Sequence, residues 1–183
     1  MRQACFTQFW RSCVRALRSD QRGVAAVEFA LIASVLCVTG MNVVDIAMYT
    51  YEAMEVETAA HTGAMAGWKA CDLSSLPATV NCSGFNSAVT AGIQSTSLGK
   101  SVTLTSGSPS EGYYCVNSAN ALQYMSSVSS KPADCSAAGT PSLSPGDYIK
   151  VKAAYTYAPL FSGLSITKLF ASPIQSTASI RMQ

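Results

Sequence analysis

Apolar positions follow two regimes along this chain. From Val24 to Val44 they form an almost unbroken run, with one acid (Glu28), one glycine (Gly40) and no proline. About 20 apolar residues at 1.5 Å each suffice to cross a bilayer, so residues 24–44 are predicted to be a transmembrane helix. The helical pattern does not stop there. Asp45 to Ala60 is rich in good helix formers, again without proline. Val44, Ala47, Tyr51, Met54, Thr58 and Met65 recur at spacings of three, four and seven, which makes one semi-apolar face. The acids Asp45, Glu52, Glu55 and Glu57 mark the part that leaves the bilayer. A continuous helix from Val24 to about Ala70 would be roughly 70 Å long. A soluble coiled coil has similar continuity, but the first half is too apolar for one.

After Cys71 the composition turns to Ser, Thr, Gly and Ala with scattered prolines. Phe85, Ala88, Val89, Gly92, Ile93 and Thr96 keep helical spacing, which predicts a short helix over 85–97. Alternation predicts strands over 101–106, with Val102 and Leu104 on one side, and over 112–116. Residues 117–146 are poor in apolar side chains and are expected to be a loop-rich insertion held by Cys135. The clearest strand is 149–157. Ile149, Val151, Ala153, Tyr155 and Tyr157 share one face, opposite Lys150, Lys152 and Thr156, with Pro145-Gly146-Asp147 as the preceding turn. A last strand over 174–182 turns Ile174, Ala178, Ile180 and Met182 inward. Between these two strands, Leu160 to Phe170 is strongly apolar and is expected to join the core. The fold class read from this pattern is α+β: a long N-terminal helix, then a small antiparallel sheet with a short helix.

Charge sharpens the picture at the N-terminus. Residues 1–22 hold Arg2, Arg11, Arg15, Arg18 and Arg22 against Asp20 alone, a net of +4, whereas the remainder holds seven basic against nine acidic residues, a net of −2. The body therefore has no basic surface for nucleic acid. Arginines abutting an apolar span place the N-terminus in the cytoplasm by the positive-inside rule. A secretory signal peptide would be cleaved beyond its apolar core, and no A-x-A site follows this one. The organisation expected is thus a basic leader (1–23), a span (24–44), an extension of the same helix (45–70) and a head (71–183).

Of seven cysteines, Cys71, Cys82, Cys115 and Cys135 fall in the head, and an even number outside the inner membrane predicts two disulfides. Three connectivities are possible. The low-separation one, Cys71–Cys82 with Cys115–Cys135, is the expectation, and the sequence leaves the others open. Zinc is the competing use, but there is no CxxC pair and the single histidine, His61, is ten residues from Cys71. No cofactor or metal is expected. No Walker loop, GxSxG or HExxH occurs, and nothing orients His61 toward a serine, so no catalytic residue is proposed and an enzyme is not expected. Asn81-Cys82-Ser83 matches a glycosylation sequon, a single match of little weight.

The residue that demands a function is Glu28, because a carboxylate within an apolar span costs a few kcal/mol unless paired. Gly23-Val24-Ala25-Ala26-Val27-Glu28-Phe29 resembles the processing site of type IV prepilins. That resemblance implies cleavage by a prepilin peptidase directly after Gly23. It also implies that Glu28, followed by Phe29, sets the register between subunits by meeting the new Val24 amine of a neighbour. Arg22 to Leu31, together with Ala53-Met54-Glu55-Val56-Glu57-Thr58-Ala59-Ala60-His61-Thr62-Gly63-Ala64-Met65-Ala66-Gly67, resembles TadE-like proteins, pseudopilins of the tight-adherence (Tad) system that builds type IVb Flp pili. Phe29 departs from the tyrosine most common there. The resemblance covers residues 18–67, and 147–183 more loosely. It implies a minor pilin-like component of the bacterial inner membrane whose partners are the peptidase, other pilins, platform proteins and lipid. The alternatives are an uncleaved single-pass anchor presenting a binding or adhesion module, and a type II secretion pseudopilin.

Overall fold

The computed structural model describes residues 21–183. The expected basic leader, with Arg2, Arg11, Arg15, Arg18, Cys5 and Cys13, lies outside the described residues. Helix α1 runs from Gln21 to Ala70. The chain divides between Val44 and Asp45 into two compact units, and α1 passes through the division.

In the first unit nearly every side chain from Gly23 to Gly40 is exposed, including Val27, Leu31, Ile32, Val35 and Leu36. The polar residues within the run bond to their own helix: Ser34 donates to the Leu31 carbonyl (2.8 Å) and Thr39 to that of Val35 (2.8 Å). This segment is long and apolar enough to cross a membrane.

The second unit is α+β. After α1 come two short helices, α2 (Ala78–Asn81) and α3 (Phe85–Ile93), and five strands. The strands are β1 (Thr103–Leu104), β2 (Ser110–Val116), β3 (Leu122–Ser127), β4 (Gly146–Tyr155) and β5 (Ile174–Arg181). All pairings are antiparallel around β4, which takes β5 along its length from Tyr148 to Tyr155. It also takes β2 against residues 146–150 and β1 against 153–154. Strand β3 pairs only with β2. One core joins Val56, Ala59, Ala60 and Ala64 of α1, Phe85, Val89 and Ile93 of α3, Ile149, Val151 and Ala153 of β4, and Ala178 of β5.

Several expectations are corrected here. The packing face of α1 is not the semi-apolar one: Val44, Ala47, Tyr51, Met54, Thr58 and Met65 are all exposed, while Val56, Ala59, Ala60, Gly63, Ala64 and Gly67 are buried. The reason is proximity. A Cβ on Gly92 of α3 would lie 2.8 Å from the Gly63 Cα and 2.9 Å from the Thr62 carbonyl oxygen. Helices this close leave room only for glycine and alanine. The expected helix over 85–97 ends at Ile93, and the strand over 101–106 shrinks to two residues.

The expected loop 117–146 contains β3, whose side chains are mostly exposed, so no apolar alternation announced it. The Asn117 side chain accepts from the Ala119 and Ala121 N–H groups (both 3.0 Å) and closes the β2–β3 turn. Gly146 and Asp147, expected in a turn, are buried residues of β4. The run from Leu160 to Phe170, expected in the core, is mostly exposed.

Candidate functional site

The Gly23–Phe29 segment is helical throughout. A Cβ on Gly23 would meet nothing within 4 Å among the described residues, so packing against them does not require glycine there. Val24 and Phe29 are 60% and 73% exposed. Glu28 is exposed among apolar neighbours and makes no hydrogen bond or ion pair with another described residue. The structure thus gathers Gly23, Val24, Glu28 and Phe29 within two turns of one helix and gives them no partner among the described residues. A carboxylate placed this way can bind a cation arriving from another molecule.

The acids beyond Val44 are used differently. Asp45 is fully buried, and its carboxylate accepts from the Leu160 N–H (3.1 Å) and the Phe161 N–H (3.4 Å). The Tyr157 hydroxyl donates to the Asp45 backbone carbonyl (3.0 Å). Glu55 accepts from the Ser97 N–H (3.2 Å) and hydroxyl (2.7 Å). These residues fasten the second half of α1 to the loops of the same unit. Sequence reasoning took them only as marking the part of the helix that leaves the bilayer. The only available signal was the position of Asp45 directly after the apolar run.

Two bridges, Cys71–Cys82 and Cys115–Cys135, close the head. The first joins the end of α1 to the residue after α2, and the second ties β2 to the segment before β4. Cys37 is free and exposed. Among the described residues no three of His, Cys, Asp and Glu gather to hold a metal ion.

Charge is concentrated in the head at one further place. The Glu111 carboxylate on β2 accepts from the Ala78 N–H (2.8 Å), the Thr79 N–H (2.7 Å) and the Thr79 hydroxyl (2.6 Å), capping α2 from outside. Its neighbour Asp147 is pushed up to about 6, first by burial and then by the Glu111 charge, with Lys131 pulling the other way.

With this geometry established, comparison with known proteins adds one match. Residues 23–65 match the family model described as TadE-like protein. Over that segment the chain is similar to TadE-like proteins. The match begins at Gly23 and ends at Met65, so it takes in both the exposed apolar half of α1 and most of the small-residue face that packs on α3. It suggests a component associated with a Tad pilus, a system whose members interact with one another. No curated protein and no solved structure matches the chain.

Proposed function

We propose that this protein is a minor pilin-like subunit, a pseudopilin, of a Tad-type pilus assembly system, matured by a prepilin peptidase that cuts after Gly23. The observation that carries the reading is the Gly23–Phe29 segment. It heads an exposed apolar helix whose continuation is built into a disulfide-closed antiparallel head. Cutting after Gly23 frees the Val24 amine, whose ordinary pKa is about 8. Glu28 of one subunit pairs with that amine of the next, so both charges persist in a low dielectric where either alone would be costly. The missing Cβ at Gly23 serves the peptidase, since no described residue crowds it. The N-terminus stays in the cytoplasm until cleavage, the span sits in the inner membrane and the head lies outside it. Platform proteins and other pilins are the partners.

The test is the N-terminus of the protein extracted from membranes. A chain starting at Val24 is expected. A mature chain that still starts with the leader would transfer the assignment to a single-pass anchor presenting the same head.

A further inference from the structure

The loop from Leu160 to Phe170 is inside out. Ser165 and Thr167 are buried, and their hydroxyls share a hydrogen bond of 2.6 Å. Leu160, Leu164 and Leu169 are 63%, 56% and 86% exposed, and Phe161 and Phe170 are partly so. Ile166 is exposed as well (47%), so this one loop turns six large apolar side chains outward. Water does not select such an arrangement, and a patch of this kind marks a contact.

The stems of the loop say which contact. The Leu160 and Phe161 N–H groups donate to the Asp45 carboxylate, and Tyr157 donates to the Asp45 carbonyl. On the other side the Tyr49 hydroxyl donates to the Ala171 carbonyl (3.0 Å), and the Tyr49 ring meets Phe170 and Tyr157 edge-on at 5.0 and 5.1 Å. Both stems are therefore fastened to Asp45–Tyr49, the first turn after the apolar run. One turn rises about 5.4 Å. The polar layer on each side of the hydrocarbon core is about 5–8 Å thick. Tyrosines with one apolar face and one wet end are enriched at that depth.

We infer that the 160–170 loop is a second membrane contact, seated in the interfacial layer of the bilayer that residues 24–44 cross. Leu160, Leu164 and Leu169 enter the acyl boundary. The exposed Lys168 meets anionic headgroups, as in interfacial segments that combine apolar and basic side chains. Asp45 satisfies the backbone donors at the stem, which would otherwise be stranded near lipid. The inference rests on the reading of residues 24–44 as a span, and the experiment separates the two.

The full chain, with Trp10 and Trp68 replaced by Phe, is reconstituted in phosphatidylcholine–phosphatidylglycerol vesicles with a single tryptophan introduced at Leu169 or Leu164. Lipids carrying a nitroxide shallow or deep in the acyl chain serve as quenchers. Tryptophan at 169 and 164 is expected to emit to the blue and to be quenched more by the shallow probe. Val35→Trp is expected to be quenched by the deep probe, and Val80→Trp, on exposed α2, by neither. Quenching at 35 but not at 169 or 164 overturns the loop contact and leaves the span intact. Absence of quenching at 35 overturns the span itself. Blue emission at 169 that appears only at high protein-to-lipid ratio, without quenching, overturns the lipid contact in favour of a second copy.

Discussion

Residues 24–44 and 45–70 lie on one helix, yet the same side-chain types meet opposite surroundings in its two parts. In the first, leucines and valines are exposed and the single acid, Glu28, is without a described partner. In the second, the buried face is made of alanine and glycine, and the acid that follows the division, Asp45, is fully buried with its carboxylate accepting two N–H groups. Burial therefore does not follow hydrophobicity along α1. It follows what can approach: bulky apolar residues line a surface long and apolar enough to cross a membrane, and small residues line one that another helix covers at backbone distance. The Glu28 carboxylate in the first part is available for a partner in another molecule, whereas those of Asp45 and Glu55 in the second are consumed within their own unit.

Substitutions at five positions can break or sharpen this contrast. Glu28→Leu should have the largest effect and leave the head alone. The variant should insert, be cut after Gly23 and unfold like wild type. It should nevertheless fail to co-purify with pilin-like partners, a loss of about 3–5 kcal/mol for stranding a desolvated amine. Wild-type assembly by this variant would reduce Glu28 to a tolerated interfacial charge.

Asp45→Ala should do the reverse, inserting normally but destabilising the head by about 2–4 kcal/mol in denaturant titrations in detergent, because two N–H groups lose their acceptor. Asp45→Asn keeps one acceptor oxygen and should fall between. Equal stability of all three would mean that the stem is held by other contacts.

Gly92→Ala should cost about 1–3 kcal/mol, since its Cβ would fall within 2.9 Å of the Gly63 and Thr62 backbone. Gly40→Ala is the matched control in the first part. Its Cβ meets nothing within 4 Å, and the helix gains about 1 kcal/mol of propensity at most. A neutral Gly92→Ala would show that α1 and α3 can separate at little cost.

The smallest effect concerns Asp147, beside Glu111 and Lys131. Its carboxyl ordinarily titrates at 3.8 and in the fold at about 6, so between these values the folded chain holds a proton that the unfolded chain has released. The stabilising contribution of the protonated form is complete below about pH 4 and is lost as pH rises through about 6. Asp147→Asn should flatten that slope in thermal unfolding scans taken across the window. An unchanged slope would mean that another group carries it.

Much of the architecture was legible because it depends on local chemistry. Alternation at Ile149, Val151 and Ala153 marks a central strand whose inner face is buried, and Ile174, Ala178 and Met182 do the same for β5. Strand β3 escaped because both its faces are largely wet and its backbone pairing with β2 leaves no apolar pattern. The 160–170 run misled because an apolar sequence does not state whether its own unit will cover it.

By itself the sequence determined the long apolar helix with its lone carboxylate, the α+β class and the even set of four head cysteines. These follow from composition and period, which each segment carries alone. Only the tertiary structure decided which face of α1 packs, that Asp45 is an internal pin while Glu28 is left outward, and which of three cysteine pairings forms. Those outcomes depend on which distant residues come within a few ångströms. Thr62 against Gly92, Asp45 against Leu160 and Glu111 against Ala78 are separated by 30, 115 and 33 positions along the chain, and no local pattern encodes such encounters.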